Sequence, residues 1–173
     1  GIGVLALQNN ATGNNNIAIG YETMYNSNST YYNTAIGYRA MRQTTIGDYN
    51  TAVGYQTLYS QTNGGYSVAI GHTALYSQTT GVSNVAMGYQ AAYSLFGGQQ
   101  NTAIGYQALY SNASNNFNVA VGVIALYSNL YGAENVAIGG YALATHFSGS
   151  NNTAIGGSAM DTATGGSYNT ALG

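Results

Sequence analysis

The tripeptide of Ala, then Ile, Val, Met or Leu, then Gly recurs at a single spacing along the whole chain. It ends at Gly20, Gly37, Gly54, Gly71, Gly88, Gly105, Gly122, Gly139, Gly156 and Gly173, and a degenerate copy, Gly1-Ile2-Gly3, opens the series. The interval never varies: a 17-residue unit runs from each Gly to the next, and ten such units with the opening Gly1-Ile2-Gly3 account for the whole chain. With no insertion or deletion in any copy, each unit must occupy the same length of path, and loops of variable length are excluded. The chain therefore reads as one array without separate domains. Its units start at Gly3, Gly20, Gly37, Gly54, Gly71, Gly88, Gly105, Gly122, Gly139 and Gly156. The array begins and ends on the same tripeptide of the unit, Gly1-Ile2-Gly3 and Ala171-Leu172-Gly173, and neither end has an atypical capping copy, so a stretch of a longer fibre is expected.

Taking the Gly as position 1, each column of the repeat can be read as a physical demand. Position 16 is Ala18, Ala35, Ala52, Ala69, Ala86, Ala103, Ala120, Ala137, Ala154 and Ala171, which means room for one methyl group and no more. Position 17 is Ile19, Ile36, Val53, Ile70, Met87, Ile104, Val121, Ile138, Ile155 and Leu172. Position 5 forms a second apolar row that includes Leu58, Leu75, Leu109, Leu126 and Leu143, and position 4 is always Ala or Thr. Position 11 is Gly13, Gly47, Gly64, Gly81, Gly98, Gly132, Gly149 and Gly166, with Thr30 and Asn115 as exceptions. Position 14 is Asn in nine copies and Ser67 in the tenth.

β-Branched residues before a Gly predict a short strand. Gly at positions 1 and 11 suits either positive φ or close backbone approach at a corner, and Asn at position 14 suits a left-handed residue or a bond to its own backbone. Two or three short strands and two corners in every unit predict an all-β fold, a parallel β-solenoid or β-roll of ten coils. At the strand spacing of about 4.8 Å such a stack is roughly 48 Å long.

Alternation in a strand puts positions 15 and 17 on one face and 16 on the other. With the row from Ile19 to Ile155 and the Leu row as the core, the Ala row from Ala18 to Ala171 lies outside, where a small apolar surface fits contact with another chain. The alternative places the Ala row inside a single-chain roll, with position 15 outside.

Composition limits the chemistry. Only four acids and two bases occur, 3% of the chain is charged, and there is no Pro, Cys or Trp. Two bases cannot hold a phosphate backbone, so nucleic acid is excluded as a partner. Without Cys there is no disulfide or thiolate metal site. No basic leader followed by an apolar run, and no apolar run of about 18 residues, occurs within these residues. The acids Glu22, Asp48, Glu134 and Asp161 occupy four different columns, so no paired carboxylates stack for acid and base chemistry. His72 and His146 stand alone and read as surface or ladder residues. No catalytic, metal or cofactor site is expected, and no enzyme.

Tyr falls in two columns. Position 2 holds Tyr21, Tyr38, Tyr55, Tyr89 and Tyr106; position 6 holds Tyr25, Tyr59, Tyr76, Tyr93, Tyr110 and Tyr127. Stacked coils turn these into rows of rings, which read either as a contact platform for sugars or other fibres, or as a ladder that stabilises the stack. Glu22 and Arg39 share a column one coil apart and predict a surface ion pair.

The segment Asn-Thr-Ala-Ile-Gly-Tyr-Gln-Ala-Leu-Tyr-Ser at Asn101–Ser111, echoed at Asn50–Ser60, resembles the head repeats of YadA-type trimeric autotransporter adhesins and the related repeats of phage tail fibres. The resemblance covers the whole chain through the Asn-x-Ala-Ile-Gly core; the 17-residue unit with its Tyr-rich extension is longer than the family's. It implies a left-handed roll, three identical chains side by side, a homotrimer or higher fibre as partner to itself, and an extracellular, cell-surface or virion location. The implied function is a rigid shaft or head that binds a cell-surface glycan or receptor. A self-assembling extracellular filament is the alternative, and an ice-binding solenoid a remote one, because position 15 mixes Thr with Val and Ile instead of forming an unbroken Thr array.

Overall fold

The computed structural model describes all residues, Gly1–Gly173, and is all-β. Ten three-residue strands, β1 (Ile17–Ile19), β2 (Thr34–Ile36), β3 (Thr51–Val53), β4 (Val68–Ile70), β5 (Val85–Met87), β6 (Thr102–Ile104), β7 (Val119–Val121), β8 (Val136–Ile138), β9 (Thr153–Ile155) and β10 (Thr170–Leu172), form one parallel sheet in sequence order. The register pairs like with like: Ala18 with Ala35, Ala35 with Ala52, Ile19 with Ile36. This is a β-solenoid, and the columns read from the sequence are its physical rows.

Each coil has one regular strand, over positions 15 to 17, where two or three were expected. The rest of the coil is turn, yet it stacks as regularly. Of 101 backbone hydrogen bonds only 18 lie within strands, so ordering depends on bonds such as Met24 N–H to Ala40 O at 3.0 Å and Glu22 N–H to Val4 O at 2.9 Å, which join neighbouring coils outside the sheet.

The strand is inside out relative to the first expectation. The Ala row is buried, with Ala35, Ala52, Ala69, Ala86, Ala103, Ala120, Ala137 and Ala154 fully covered, Ala18 nearly so and Ala171 half-exposed. The position 17 row faces out: Ile19, Ile36, Met87, Ile104, Ile138 and Ile155 are 36–40% exposed, and Val53, Ile70 and Val121 are half-exposed. The Ala row is therefore not an inter-chain surface, and the Ile row is not the core. The cause is volume. A 17-residue coil encloses little space, and the buried side chains at position 5, such as Met24, Leu58, Leu75, Leu109, Leu126 and Leu143, already fill it. Opposite them only a methyl group packs at interior density.

Positions 4 and 5 are consecutive and both buried, as Ala74 with Leu75 and Ala108 with Leu109 are. An extended chain would send them to opposite faces. The conflict is resolved by left-handed backbone at position 5, with φ 48° at Leu58 and 53° at Leu109, flanked by left-handed residues at position 3 such as Gln56 and Gln107. Position 13 is left-handed too, for example Tyr49 at 59°. Three non-Gly residues per coil thus adopt a conformation costing on the order of 1 kcal/mol each, sustained by the stacking bonds.

The two glycine columns act differently. At position 1 φ is positive, 134° at Gly105, and the next coil lies against the Cα. At position 11 only Gly149 and Gly166 have positive φ; Gly13, Gly47, Gly64, Gly81, Gly98 and Gly132 do not. Close approach is the reason there: a Cβ on Gly47 would overlap the carbonyl oxygen of Gly64.

Position 14 is a buried asparagine ladder. Asn101 donates Nδ2–H to Asn84 Oδ1 (3.2 Å) and Asn115 O (2.9 Å), while its own Oδ1 accepts from the N–H and Nδ2 of Asn118 (2.9 and 3.2 Å). The expectation of a left-handed Asn or one bonded to its own backbone does not hold: no position 14 residue has positive φ, and apart from Asn169, which also donates to Ser167 O, the amides cap the chain of the neighbouring coil. Where Ser67 breaks the ladder, Gln78 repairs it: its Nε2 donates to Ser67 Oγ (3.2 Å) and Gly81 O (2.9 Å), and its Oε1 accepts from Asn84 (3.0 Å). Gln61, one coil earlier in the same column, is equally buried and makes one long bond, from Nε2 to Asn50 Oδ1 at 3.4 Å, which already accepts from Ser67 N–H at 3.0 Å, while its Oε1 has no partner. The two glutamines therefore respond oppositely to one substitution. Gln61→Leu is expected to stabilise by about 1 kcal/mol and Gln78→Leu to destabilise by about 2–3 kcal/mol; thermal unfolding of the pair checks the signs.

Candidate functional site

The outer surface of positions 2, 3, 6 and 7 is the most differentiated part of the molecule. Left-handed residues at 3 and 5 turn 4 and 5 inward and leave the flanking side chains outward. Arg42 Nε lies 2.6 Å, and Arg39 Nε 2.8 Å, from Glu22 Oε2, so positions 3 and 6 are within reach of one another on one face. Arg39 also packs over the rings of Tyr21 and Tyr38, at 5.9 and 4.9 Å. Position 2 thus adjoins position 3.

Both expected tyrosine rows are present. Along position 2 the rings of Tyr21, Tyr38, Tyr55, His72, Tyr89 and Tyr106 stack with centroid separations of 5.4, 5.2, 4.7, 5.2 and 5.3 Å. Along position 6, Tyr59, Tyr76, Tyr93, Tyr110 and Tyr127 stack at 5.1, 5.2, 5.3 and 5.0 Å. Tyr25 is separated from that stack by Arg42, whose guanidinium occupies the column and lies 5.1 Å from the Tyr25 ring and 6.0 Å from that of Tyr59. A third row, Tyr32, Tyr49 and Tyr66 at position 13, stacks at 5.0 and 5.1 Å. Sequence reasoning missed it, although the three tyrosines share one column of the repeat in consecutive units.

The stacking sets what the rows can offer. Tyrosine planes along positions 2 and 6 are parallel within 5–11°, so ring faces are spent on one another and only edges and hydroxyls point outward. Among all tyrosine hydroxyls only Tyr31 and Tyr59 take a hydrogen bond within the chain, with Ser29 and Arg42. The others are free to donate and accept.

Burial raises the pKa of Tyr76 and Tyr110 above 10.0, and neighbouring tyrosines add to the shift. A raised folded-state value means that the stabilisation is intact below pH 10 and is lost as pH rises through the folded value. The unfolding temperature should fall in that alkaline range in step with tyrosinate absorbance. A thermal midpoint unchanged while the rows ionise would show that the rings do not couple to the fold. Glu22, buried between the two arginines, has its carboxyl pKa lowered, chiefly by the hydrogen bond from Arg42.

The histidines part ways. His72 is exposed and completes a row, as expected. His146 is fully buried at position 8, with Nδ1 3.0 Å from Ala163 O and Nε2 3.2 Å from Asn152 Nδ2, so it is a core hydrogen-bonding group, not a surface one. No three of His, Asp and Glu come together. The one cavity, about 230 Å³, lies at the corner where Gly65 interrupts position 12 beside Asp48, Tyr66 and Val82. No helix long and apolar enough to cross a membrane is present. No family model, curated protein or solved structure matches the chain.

Proposed function

We propose that the chain is a structural rod, the shaft or head of a fibre of the phage tail-fibre or trimeric adhesin kind, acting outside the cell by rigid, multivalent attachment to a surface. The observation that supports it most is the unbroken register of ten strands and three aromatic rows, which repeats each weak contact at fixed spacing so that contacts add through avidity. In a surface-binding assay on whole cells, replacing Tyr59, Tyr76, Tyr93 and Tyr110 with Ser should abolish attachment. Attachment by the variant equal to that of the parent chain would remove position 6 from the contact.

Side-by-side assembly into a homotrimer or higher fibre is part of the same proposal, with the contact moved to the outward rows of positions 15 and 17. These rows carry no charge. A face roughly 48 Å long and about 10 Å wide buries on the order of 1,000 Å² between two copies, where specific interfaces begin. Light scattering should give a multiple of 17.9 kDa, reduced to a monomer by Ile70→Lys with Ile104→Lys; a monomeric parent chain would overturn the assembly.

A further inference from the structure

We propose that the face of positions 2, 3, 6 and 7 binds a linear, uncharged, β-1,4-linked polysaccharide lying along the rod axis, held by phenol hydroxyls and ring edges and not by ring faces. The proposal rests on the surface-attachment reading above and names the ligand of that site.

Three observations carry it. Because the rings are stacked on one another, a sugar cannot lie flat on an aromatic face. What remains is a row of free hydroxyls interrupted by the His72 ring, those of Tyr55, Tyr89 and Tyr106 among them, on residues 43–47% exposed. The rings are also pinned by their neighbours, so little side-chain freedom is lost when a ligand binds.

The face is neutral between Glu22, Arg39 and Arg42 at one end and Asp161 at the other. Between Asp48 and Glu134 the chain has no Asp, Glu, Lys or Arg, and beside the tyrosines stand half-exposed Gln90 and Gln107, themselves joined at 2.8 Å. An anionic polymer would lose water here without gaining a counter-charge, whereas a neutral polyol exchanges hydrogen bonds of the same kind.

The spacing is that of a polymer. Hydroxyl, amide and hydroxyl stand together as Tyr55, Gln56 and Tyr59, as Tyr89, Gln90 and Tyr93, and as Tyr106, Gln107 and Tyr110, with His72, Thr73 and Tyr76 in the coil between the first two sets. An extended β-1,4-linked pyranose residue is about as long as the coil rise of ~4.8 Å. Successive β-1,4-linked sugars are turned by about half a rotation, so a ligand in register presents the same edge at every second coil, as the sets of Tyr55 and Tyr89 are spaced, while a lone sugar meets one weak set. Affinity should therefore come from length.

The test uses the full chain on insoluble β-1,4-glucan, β-1,4-mannan and chitin, with titration by short and long cello-oligosaccharides. Retention on at least one polysaccharide, insensitive to salt, is expected, as is a gain of at least about tenfold from a disaccharide to a hexasaccharide. Combined Tyr55→Phe, Tyr89→Phe and Tyr106→Phe keeps every ring and removes only unbonded hydroxyls. It should leave the unfolding temperature unchanged and weaken retention at least about tenfold. Phenylalanine variants that bind like the parent, a disaccharide that binds as tightly as the hexasaccharide, or retention on none of the polysaccharides would overturn the proposal. If the serine variants still lose cell attachment in that last case, the attachment reading survives; if the parent attaches to nothing, both fall.

Discussion

Gly105→Ala should unfold or unstack the centre of the rod, at a cost of about 3–5 kcal/mol. Two penalties coincide. The φ of 134° is one that only Gly adopts readily, and a Cβ there would sit 2.7 Å from the carbonyl carbon of Gly122 and closer still to its oxygen. Relief would require coils to separate, which breaks the ladder on both sides of the site, because each coil touches only its neighbours. Gly157→Ala is the control: at position 2, with nothing within 4 Å of its added Cβ, it should change stability by less than about 0.5 kcal/mol. Chemical denaturation of the two variants checks the contrast. Equal effects would mean that the closeness of the coils does not limit position 1.

Asn101→Leu should be the other severe substitution, costing about 3–4 kcal/mol although it replaces a polar core residue with an apolar one of similar size. The amide joins three successive coils. Its loss leaves the N–H of Asn118 and the carbonyl of Asn115 buried without the partners they now have at 2.9 Å, and each such orphan costs about 1–3 kcal/mol. Asn101→Ser should cost less, because Ser67 in the same column keeps the next backbone N–H bonded, from Asn84 to its Oγ at 3.2 Å. Leu milder than Ser would show that the ladder is dispensable. Hydrogen exchange would localise the damage, with protection lost at Asn118.

Much of this fold is legible in the 17-residue spacing. Register, strand position, parallel pairing and the two main tyrosine rows all follow from columns that repeat in one chain. The inner face of the strand is set by volume and not by hydrophobicity. Ile looks like core, but Ala18 and its copies are the residues with no freedom in size, and a column restricted to a methyl group marks the tighter side. The Asn column carries the same message, since positions 14 and 16 must share a face. A row of amides beside a row of methyl groups was the signature of the interior.

Other features left weaker traces. Left-handed backbone at Leu58, Leu109 and Tyr49 is invisible in residue type, because Leu and Tyr have no preference for it and adopt it here in stacked coils. Arg42 was readable by arithmetic, as it stands one repeat unit after Tyr25 and one before Tyr59; its guanidinium substitutes for a ring as a flat, stackable group. The burial of His146 was not readable, because position 8 varies from Ser27 to Gln61, Leu95 and His146, and variation there reflects a wide part of the interior that accepts several shapes.

The unbroken register has a consequence for how such a gene can change. Inserting or deleting a single codon would leave one coil with a path length its neighbours do not share, throwing its side chains off their rows and breaking the ladder at that point, while the coils beyond keep their own period. A whole coil can be added or removed with no such penalty. Length is therefore quantised: natural variants of this array should differ by whole repeat units, and unequal crossing-over between copies would adjust the reach of the rod in steps of about 4.8 Å.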